Sequence, residues 1–179
     1  RVKPHVGFRG RYESGLVKML AIGLGNDIGA KSCHQLGFGK MAENIVAMTR
    51  MKLAKLPVLF GVAVIEDGAE NVSIIEVVDA DRILDREPEL LKISKSYMPS
   101  IGLSQIDVLV VDRMGKEISG DGMDPNITGR YATPYASGGP DIARLAVLSA
   151  TEKSHGNVIG VGQADICTQR LYDSADLET

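Results

Sequence analysis

Apolar runs of strand length alternate with helical patterns along this chain, and that alternation most constrains its fold. Residues 58–65 form a continuous apolar run typical of a buried strand. Residues 106–112 form the strongest later strand, and residues 40–56 place their apolar side chains near one helical face. The alternation predicts an α/β fold of mixed sheets with flanking helices.

Shorter patterns complete the predicted fold. Residues 72–78 indicate a hairpin partner for the first strand, after a turn of more than two residues. Residues 81–92 indicate a short helix, for which Asp79 or Asp81 is the candidate N-cap. Ser, Pro and Gly interrupt the pattern at residues 94–102, so the sequence predicts a domain boundary there. The remaining candidates are strands at 144–148 and 158–161, a helix at 164–172, and a helix or strand at 16–22.

Composition argues against several classes of function. The chain has 179 residues, of which 44% are hydrophobic and 4% aromatic, and a net charge of −3. Its basic residues are dispersed and its aromatic residues are few, so we expect no nucleic-acid partner. An apolar stretch of about 18 residues and a signal peptide are both missing, so we expect no membrane association. The two cysteines, Cys33 and Cys167, favour a reduced, cytoplasmic protein over a disulfide framework.

The first forty residues hold the main candidate site. His5, Lys18 and His34 lie among eight glycines, a density that suits backbone that turns sharply or approaches a ligand. An imidazole can bind a metal or move a proton near neutral pH, and an activated amine can bond to a carbonyl-type group. The alternative is structural: Lys18 would be a surface lysine with a buried stem, and each histidine a satisfied structural residue.

Three motifs in this region resemble the nickel-dependent lactate racemase family and its 2-hydroxy-acid racemase and epimerase relatives. They are Pro4-His5 followed by glycines, Ser14-Gly15-x-x-Lys18, and His34 sixteen residues after that lysine. Residues 115–126 and 154–157 are similar to a more distant branch of the same family. The resemblance covers most of the chain, and its specific part is residues 1–34.

The resemblance implies a covalently attached nickel-pincer nucleotide, a pyridinium mononucleotide whose two sulfur arms and one carbon hold a nickel ion. Lys18 would tie this cofactor down as a thioamide, with Ser14 and Gly15 beside it in the cofactor-binding site. His34 would complete the coordination of the metal, and imidazole and sulfur donors suit square-planar Ni(II). His5 would act as the acid/base on the substrate hydroxyl.

The implied reaction is racemisation or epimerisation of a 2-hydroxy acid by hydride transfer through a 2-keto acid intermediate. The implied partners are that small substrate and the proteins of cofactor biosynthesis. Residues 1–98 would be the C-terminal part of the cofactor-binding domain, an α/β domain, and residues 99–179 most of a C-terminal α/β domain. We therefore expect an internal fragment of an isomerase. It would be inactive by itself, because another catalytic histidine and a substrate-binding arginine would lie outside it.

A glycine-rich loop at residues 115–129 is the second candidate site, since ligands gather beyond the carboxyl ends of strands in open α/β sheets. Lys116 or Arg130 could hold a substrate carboxylate, the arginine through two parallel hydrogen bonds. The alternative is a solvated loop of turn-forming residues. Asp121 and Asp124 lack the ligand spacing of a calcium loop, and His155 is a turn residue or an acid/base group.

Two other functions stay open. Residues 23–29 superficially match a dinucleotide fingerprint, which needs a preceding strand, here at 16–22, and an acidic residue about 20 positions on, here near Glu43. That pattern would indicate an NAD(P)-dependent 2-hydroxy-acid oxidoreductase. The third alternative is a non-catalytic nickel- or nucleotide-binding homologue that keeps Lys18 and His34.

Overall fold

The computed structural model describes residues 1–176 and divides the chain into two compact units, Arg1–Pro99 and Ser100–Thr179. Each unit has its own hydrophobic core. The first combines helices with a small antiparallel sheet, and the second contains a three-stranded parallel sheet. The mixed α/β class predicted from the sequence is therefore confirmed.

Three helices precede the sheet of the first unit: α1 (Leu16–Ala21), α2 (Asn26–Gln35) and α3 (Met41–Lys55). The run at 16–22 is thus a helix, and the helix predicted at 40–56 is confirmed. With only six residues, α1 is too short to be stable in isolation. Its stability comes from packing, because Val17, Leu20 and Ala21 are buried in the core of this unit.

The predicted hairpin is confirmed, but its first strand is not buried on both faces. Strand β1 (Phe60–Glu66) pairs antiparallel with β2 (Val72–Asp79). Ala63 and Ile65 are buried whereas Phe60 and Val62 are exposed, which is the alternation of a half-covered strand. The prediction of a fully buried strand was wrong because a continuous apolar run shows the residue types on both faces and not what covers them.

Helix α4 (Ile83–Tyr97) follows the hairpin and extends five residues past the predicted 81–92 segment. It contains Pro88, which has no N–H to donate to the carbonyl of Leu84 one turn earlier. The hydroxyl of Tyr12 donates to that carbonyl instead, at 2.6 Å. A long-range hydrogen bond thus satisfies the group that the proline leaves free, and the helix continues.

The predicted N-cap of this helix was wrong. Residues 80–82 form a 3-10 turn, so α4 is preceded by Arg82, which makes no side-chain capping bond. Asp79 flanks the 3-10 turn and likewise makes no capping bond. The intervening turn separates both predicted aspartates from the first free N–H groups of the helix.

The second unit is built on strands β3 (Gln105–Met114), β4 (Asp141–Ala150) and β5 (Ile166–Cys167), which are parallel and lie in that order. The strands predicted at 106–112 and 144–148 are confirmed, each extended at both ends. The core of this unit consists of Met114, Met123, Ile142, Leu145, Val147 and Leu171.

Two elements predicted near the end of the chain were wrong. Residues 158–161 are not a strand: Gly160 has φ 91°, and a Cβ atom there would lie 1.7 Å from the carbonyl oxygen of Asp121. The predicted helix at 164–172 contains β5, and α6 (Gln169–Asp173) begins only after Thr168, whose hydroxyl accepts from the N–H of Leu171 at 3.1 Å. A two-residue strand leaves no periodicity in the sequence.

The loop predicted at 115–129 contains one short helix, α5 (Pro125–Thr128). The Asp124 carboxylate caps it by accepting from the N–H of Asn126 at 2.9 Å, as an aspartate at this position commonly does. Among residues 1–176, no helix is long and apolar enough to cross a membrane.

Candidate functional site

The side chains of Lys18 and His5 meet in the first unit. Lys18 lies on α1, and its Nζ atom is 2.8 Å from Nε2 of His5. The segment that carries His5 is held beside α1 by an antiparallel bridge, in which the N–H of Lys3 donates to the Ser14 carbonyl at 3.0 Å and Ser14 returns the bond at 3.2 Å. Ser14 therefore contributes backbone pairing that brings the two side chains together.

Hydrogen bonds assign the protons of this pair. The N–H of Gly7 donates to Nδ1 of His5 at 2.9 Å, so Nδ1 carries no proton. A neutral imidazole then has its proton on Nε2, which faces the amine of Lys18. That N–H can be accommodated only by the lone pair of an uncharged amine, because an ammonium group has no acceptor. The geometry therefore favours an uncharged amine at Lys18, the direction in which burial also lowers its pKa.

The electrostatics of the site agree with this assignment. Burial lowers the pKa of His5 to about 3, together with the positive charge that Lys18 carries when protonated and the charges of Arg9 and other neighbours. Burial is also the main cause that lowers the pKa of Lys18, and the charge of Lys3 adds to it. The pKa values of His5 and Lys18 both fall because a poorly hydrated, positively charged environment disfavours their protonated forms. An uncharged amine is nucleophilic, whereas an ammonium group is not.

His34 approaches the same site from α2 and differs from His5 in exposure. Its side chain is exposed, and its ring centroid lies 6.0 Å from that of Phe38, which is 6.3 Å from that of His5. Nδ1 of His34 lies 2.7 Å from the carbonyl oxygen of Ala30, so Nδ1 carries the proton. Nε2 is then left with a free lone pair, the arrangement found in most metal-binding histidines.

Both ends of α1 are fixed by side chains from other helices. The Glu87 carboxylate on α4 accepts from the N–H of Val17 at 2.8 Å. At the other end, Nζ of Lys52 donates to the carbonyls of Leu20 and Ala21 at 2.8 and 2.9 Å. The hydroxyl of Thr49 donates to the carbonyl of Val17 at 2.8 Å. These bonds satisfy the free groups of a helix terminus and hold Lys18 on a rigid element.

Gly15 lets the Glu87 carboxyl approach the start of α1. A Cβ atom at Gly15 would lie 2.6 Å from Cδ of Glu87, so no larger residue fits. Glu87 is 1% exposed, and its Oε1 atom has no hydrogen-bond partner. Burial raises its pKa to about 7, although the N–H groups of Val17 and Leu16 act in the opposite direction. In this structure the glycine of the Ser14-Gly15-x-x-Lys18 motif accommodates a buried carboxyl group.

A second buried carboxylate, Glu13, organises the loop that carries His5. It is 0% exposed and accepts from the backbone N–H of His5 at 2.8 Å and from Nζ of Lys95 at 2.6 Å. The guanidinium of Arg9 lies 3.4 Å from it and also donates to the carbonyl of His5. A buried carboxylate with several donors is an expensive group to leave unpaired, so these contacts fix the His5 backbone.

Cys33 lies beneath the site and is fully buried. Burial raises the pKa of its thiol, and the charge of Lys18 opposes that change. Its Sγ atom lies 3.2 Å from Sδ of Met41. Both Cys33 and Cys167 are free thiols, as the sequence predicted.

The predicted substrate-binding residues lie in the second unit. Lys116 is exposed, and its backbone N–H donates to the hydroxyl of Ser154 at 3.3 Å. Arg130 is already engaged: its Nη2 atom donates to Asp165 at 2.8 Å and to the carbonyl of Ile142 at 2.9 Å. Those bonds occupy donors that a substrate carboxylate would need, so Lys116 is the freer of the two. His155 is an exposed turn residue with φ 48°.

The first unit offers one exposed imidazole and one half-buried amine to the cofactor that the resemblance implies. Among residues 1–176, no group of three or more His, Cys, Asp or Glu is arranged to hold a metal ion. A pincer nucleotide would bring its own sulfur and carbon donors, so a single imidazole would suffice. The Nε2 atom of His34 and the amine of Lys18 are chemically suited to those two roles.

Sequence reasoning missed Glu13, Glu87 and Lys95, which support the predicted residues. The burial of Glu87 could have been predicted from the helical spacing of α4. The buried positions of α4 are spaced as on one helical face, and a carboxyl group occupies one of them: Ile83, Glu87, Leu90, Leu91 and Ser94. The burial of Glu13 could not have been predicted, because it depends on the loop that folds over it.

The dinucleotide fingerprint at residues 23–29 lacks the strand that it requires. Residues 16–22 contain α1, and Gly23–Gly25 forms a 3-10 turn between α1 and α2. A glycine-rich turn between two helices does not present its N–H groups beyond a parallel strand, which is the basis of dinucleotide binding.

Comparison with known proteins adds no relative: no protein-family model matches the chain, and neither curated proteins nor solved structures gave a match.

Proposed function

We propose that this protein is a racemase or epimerase of a 2-hydroxy acid that uses a covalently attached nickel-pincer nucleotide. The observation that carries the proposal is the pair formed by Lys18 and His5, whose Nζ and Nε2 atoms are 2.8 Å apart. The bond from Gly7 to Nδ1 of His5 favours an uncharged amine, and burial lowers the pKa of Lys18 in the same direction. An uncharged, half-buried lysine on a fixed helix is the group that covalent attachment requires.

His34 would bind the nickel through Nε2, because its other nitrogen is committed to the Ala30 carbonyl. When bound, the cofactor supplies hydride-transfer chemistry at C2 of the substrate. The chain itself orients the two attachment points. Lys18 is fixed by the bonds at both ends of α1, and the His34 ring packs edge-on against Phe38.

His5 would move the hydroxyl proton only after Lys18 has been modified. With pKa about 3, its imidazole is a poor base near neutral pH, since an effective base has a pKa near the working pH. Attachment of an acyl-type group to Lys18 removes an amine whose protonated form lowers the pKa of His5 and whose lone pair would accept the Nε2 proton. The pKa of His5 then rises, so cofactor loading and acid/base competence are linked through one contact.

That Lys116 or Arg130 holds the substrate carboxylate stays a prediction from the sequence, and Asp165 engages the Arg130 guanidinium. Electrostatic recognition of a carboxylate by either cation follows from charge-assisted hydrogen bonding. The proposed location is the cytoplasm, where the free thiols of Cys33 and Cys167 stay reduced. The proposed partners are the proteins that synthesise and insert the cofactor.

The low pKa of His5 also favours a second candidate, a nickel- or nucleotide-binding protein without catalysis. Such a protein would keep the anchor Lys18 and the ligand His34. The oxidoreductase alternative has lost the strand on which its fingerprint depends, so no observation favours it.

One experiment separates these functions. The protein is produced at its full natural length, with and without the cofactor-synthesis proteins, and its nickel content, visible absorption and racemisation of single-enantiomer 2-hydroxy acids are measured. The racemase predicts nickel, a visible band and racemisation only after co-production. Nickel and the band without racemisation of any tested acid would indicate the carrier. Absence of both after co-production would contradict the proposed function.

A further inference from the structure

The second unit contains a cleft of about 710 Å³ at the carboxyl edge of its parallel sheet. Arg113 and Ser149, partners in the β3–β4 ladder, lie next to the last residue of each strand and line the cleft. Residues 151–153 follow β4, and Arg170 and Ser174 come from the α6 region that follows β5. Ligands of open α/β sheets bind at this edge, and the volume is that of a small-molecule site.

Three cationic side chains line this cleft: Arg113, Lys153 and Arg170. Within residues 1–176, neither Lys153 nor Arg170 forms an ion pair, and Arg170 has one long bond, 3.5 Å, to the Leu148 carbonyl. Arg113 pairs only with its exposed neighbour Asp112, at 3.3 Å. An exposed pair of this kind contributes little, so all three cations are available to a ligand.

The carboxylates of the cleft do not cancel these charges. Glu117 is engaged mainly by hydroxyl groups: a bond with Thr151 is the main cause that lowers its pKa, Oγ of Ser154 lies 3.4 Å from it, and the charge of Lys153 is the smallest cause. It therefore orders the loop after β3. Glu152 is exposed and adds the second negative charge. The side chains that line the cleft thus carry three positive and two negative charges, and Asp112, which pairs with Arg113, does not line it.

The hydroxyl groups of the cleft are used locally, which leaves recognition to the cations. Ser149 donates to the Asp112 carbonyl at 2.7 Å, and Ser174 donates to the Leu171 carbonyl at 2.8 Å. Thr151 and Ser154 bond to each other at 2.9 Å. Guanidinium and ammonium groups are the residue types that bind phosphate and carboxylate groups with charge-assisted hydrogen bonds.

We propose that this cleft binds a small organic anion through a phosphate or carboxylate group held by Arg170, Lys153 and Arg113. The volume exceeds what one inorganic ion needs, so the ligand is a phosphate ester or a polycarboxylate. This site is separate from the Lys18 pair, and it does not depend on nickel or on the proposed racemase activity. Neither Lys116 nor Arg130 lines it.

The test is calorimetric titration of the full chain with adenosine monophosphate, citrate, inorganic phosphate and adenosine. Adenosine monophosphate or citrate should bind, more tightly than inorganic phosphate, and adenosine should not. Binding of the first alone identifies a phosphate ester, and binding of the second alone a polycarboxylate. Each affinity should fall with added salt, because the contacts are between charges.

Charge-removing variants locate the site. Arg170→Gln and Lys153→Gln should each weaken binding about tenfold, the effect of losing one charge-assisted bond. Arg144→Gln is the matched control, since Arg144 is exposed on β4 and does not line the cleft. The proposal is overturned if neither anion binds, if adenosine binds as tightly as its monophosphate, or if the control weakens binding as much as the cleft variants.

Discussion

The Nε2 atom of His5 lies 2.8 Å from the Nζ atom of Lys18, and the N–H of Gly7 donates to the other ring nitrogen. This one contact links the two groups. Together with burial, it favours the uncharged, nucleophilic form of the amine and lowers the pKa of the imidazole to about 3. The two predicted roles, anchor and acid/base, are therefore coupled.

Removing the amine should raise the pKa of His5. Lys18→Met keeps the length of the side chain but removes the amine, whose protonated form is the second cause of the low pKa after burial. NMR titration should show His5 titrating at a higher pH in the variant than in the unmodified wild-type protein. The exposed ring of His155, in the second unit, is the internal control. An unchanged His5 titration would show that the amine is uncoupled from the ring.

Nickel content should depend on His34 and not on the other histidines. His34→Ala should lower the nickel content of the co-produced protein, because it removes the free Nε2 lone pair. His155→Ala, in an exposed turn of the second unit, is the matched control. His5→Ala should keep the nickel but reduce turnover by about two orders of magnitude or more. Loss of nickel in His5→Ala and its retention in His34→Ala would show that the roles are reversed, with His5 as the nickel ligand.

Glu87 should make the first unit less stable as the pH rises. Its folded pKa, about 7, lies above the ordinary value of 4.5, so between those values the folded state holds a proton that the unfolded state has lost. The free energy of unfolding should therefore fall by up to about 1.4 kcal/mol per pH unit in that window. Glu87→Gln, which cannot ionise, should remove this dependence.

Urea denaturation at pH 4 to 8, followed by NMR signals of the first unit, measures the effect. Glu43→Gln is the control, since Glu43 is exposed on α3. Equal pH dependence in wild type and Glu87→Gln would show that another group is responsible.

Gly15→Ala should destabilise the first unit by about 1–3 kcal/mol, the typical cost of overpacking. The new Cβ would lie 2.6 Å from Cδ of Glu87, which is enclosed and cannot move away freely. Gly29→Ala on α2 is the matched control, because its Cβ would meet nothing closer than 3.6 Å. That variant should gain about 0.5–1 kcal/mol from helix propensity. Equal unfolding free energies for the two variants would contradict the close approach of Glu87.

The sequence was sufficient for the long elements, and it singled out His5 and Lys18, which the fold brings into contact. Strong periodicity predicted α3, β3 and β4, because their burial patterns span many residues. It could not predict β5, which has two residues, or the turn at Gly160, which depends on the carbonyl of Asp121. His5, Lys18 and His34 were singled out by residue type and glycine-rich surroundings, and the roles that the family resemblance implies for them stay predictions. The protonation states of Lys18 and His5 could not be predicted from the sequence, because they depend on the backbone N–H of Gly7 and on burial.

The residues that support Lys18 and His5 also differ in how much of their role the sequence reveals. Glu87 occupies a buried position of α4 that its helical spacing reveals, whereas its contact with Gly15 is formed by residues 72 positions apart. Whether an arginine is free to bind a ligand also depends on the tertiary structure. Arg130 and Arg170 are equivalent in the sequence, but Asp165 engages only the first.

The most direct test of the central claim, that Lys18 is the covalent anchor, is the intact mass of the protein co-produced with the cofactor-synthesis proteins. The wild type should carry one added mass, and peptide mapping should locate it on Lys18. Lys18→Ala should have the unmodified mass, while Lys92→Ala, an exposed lysine on α4, should keep the adduct. An adduct that persists in Lys18→Ala, or that maps to another residue, would contradict the assignment.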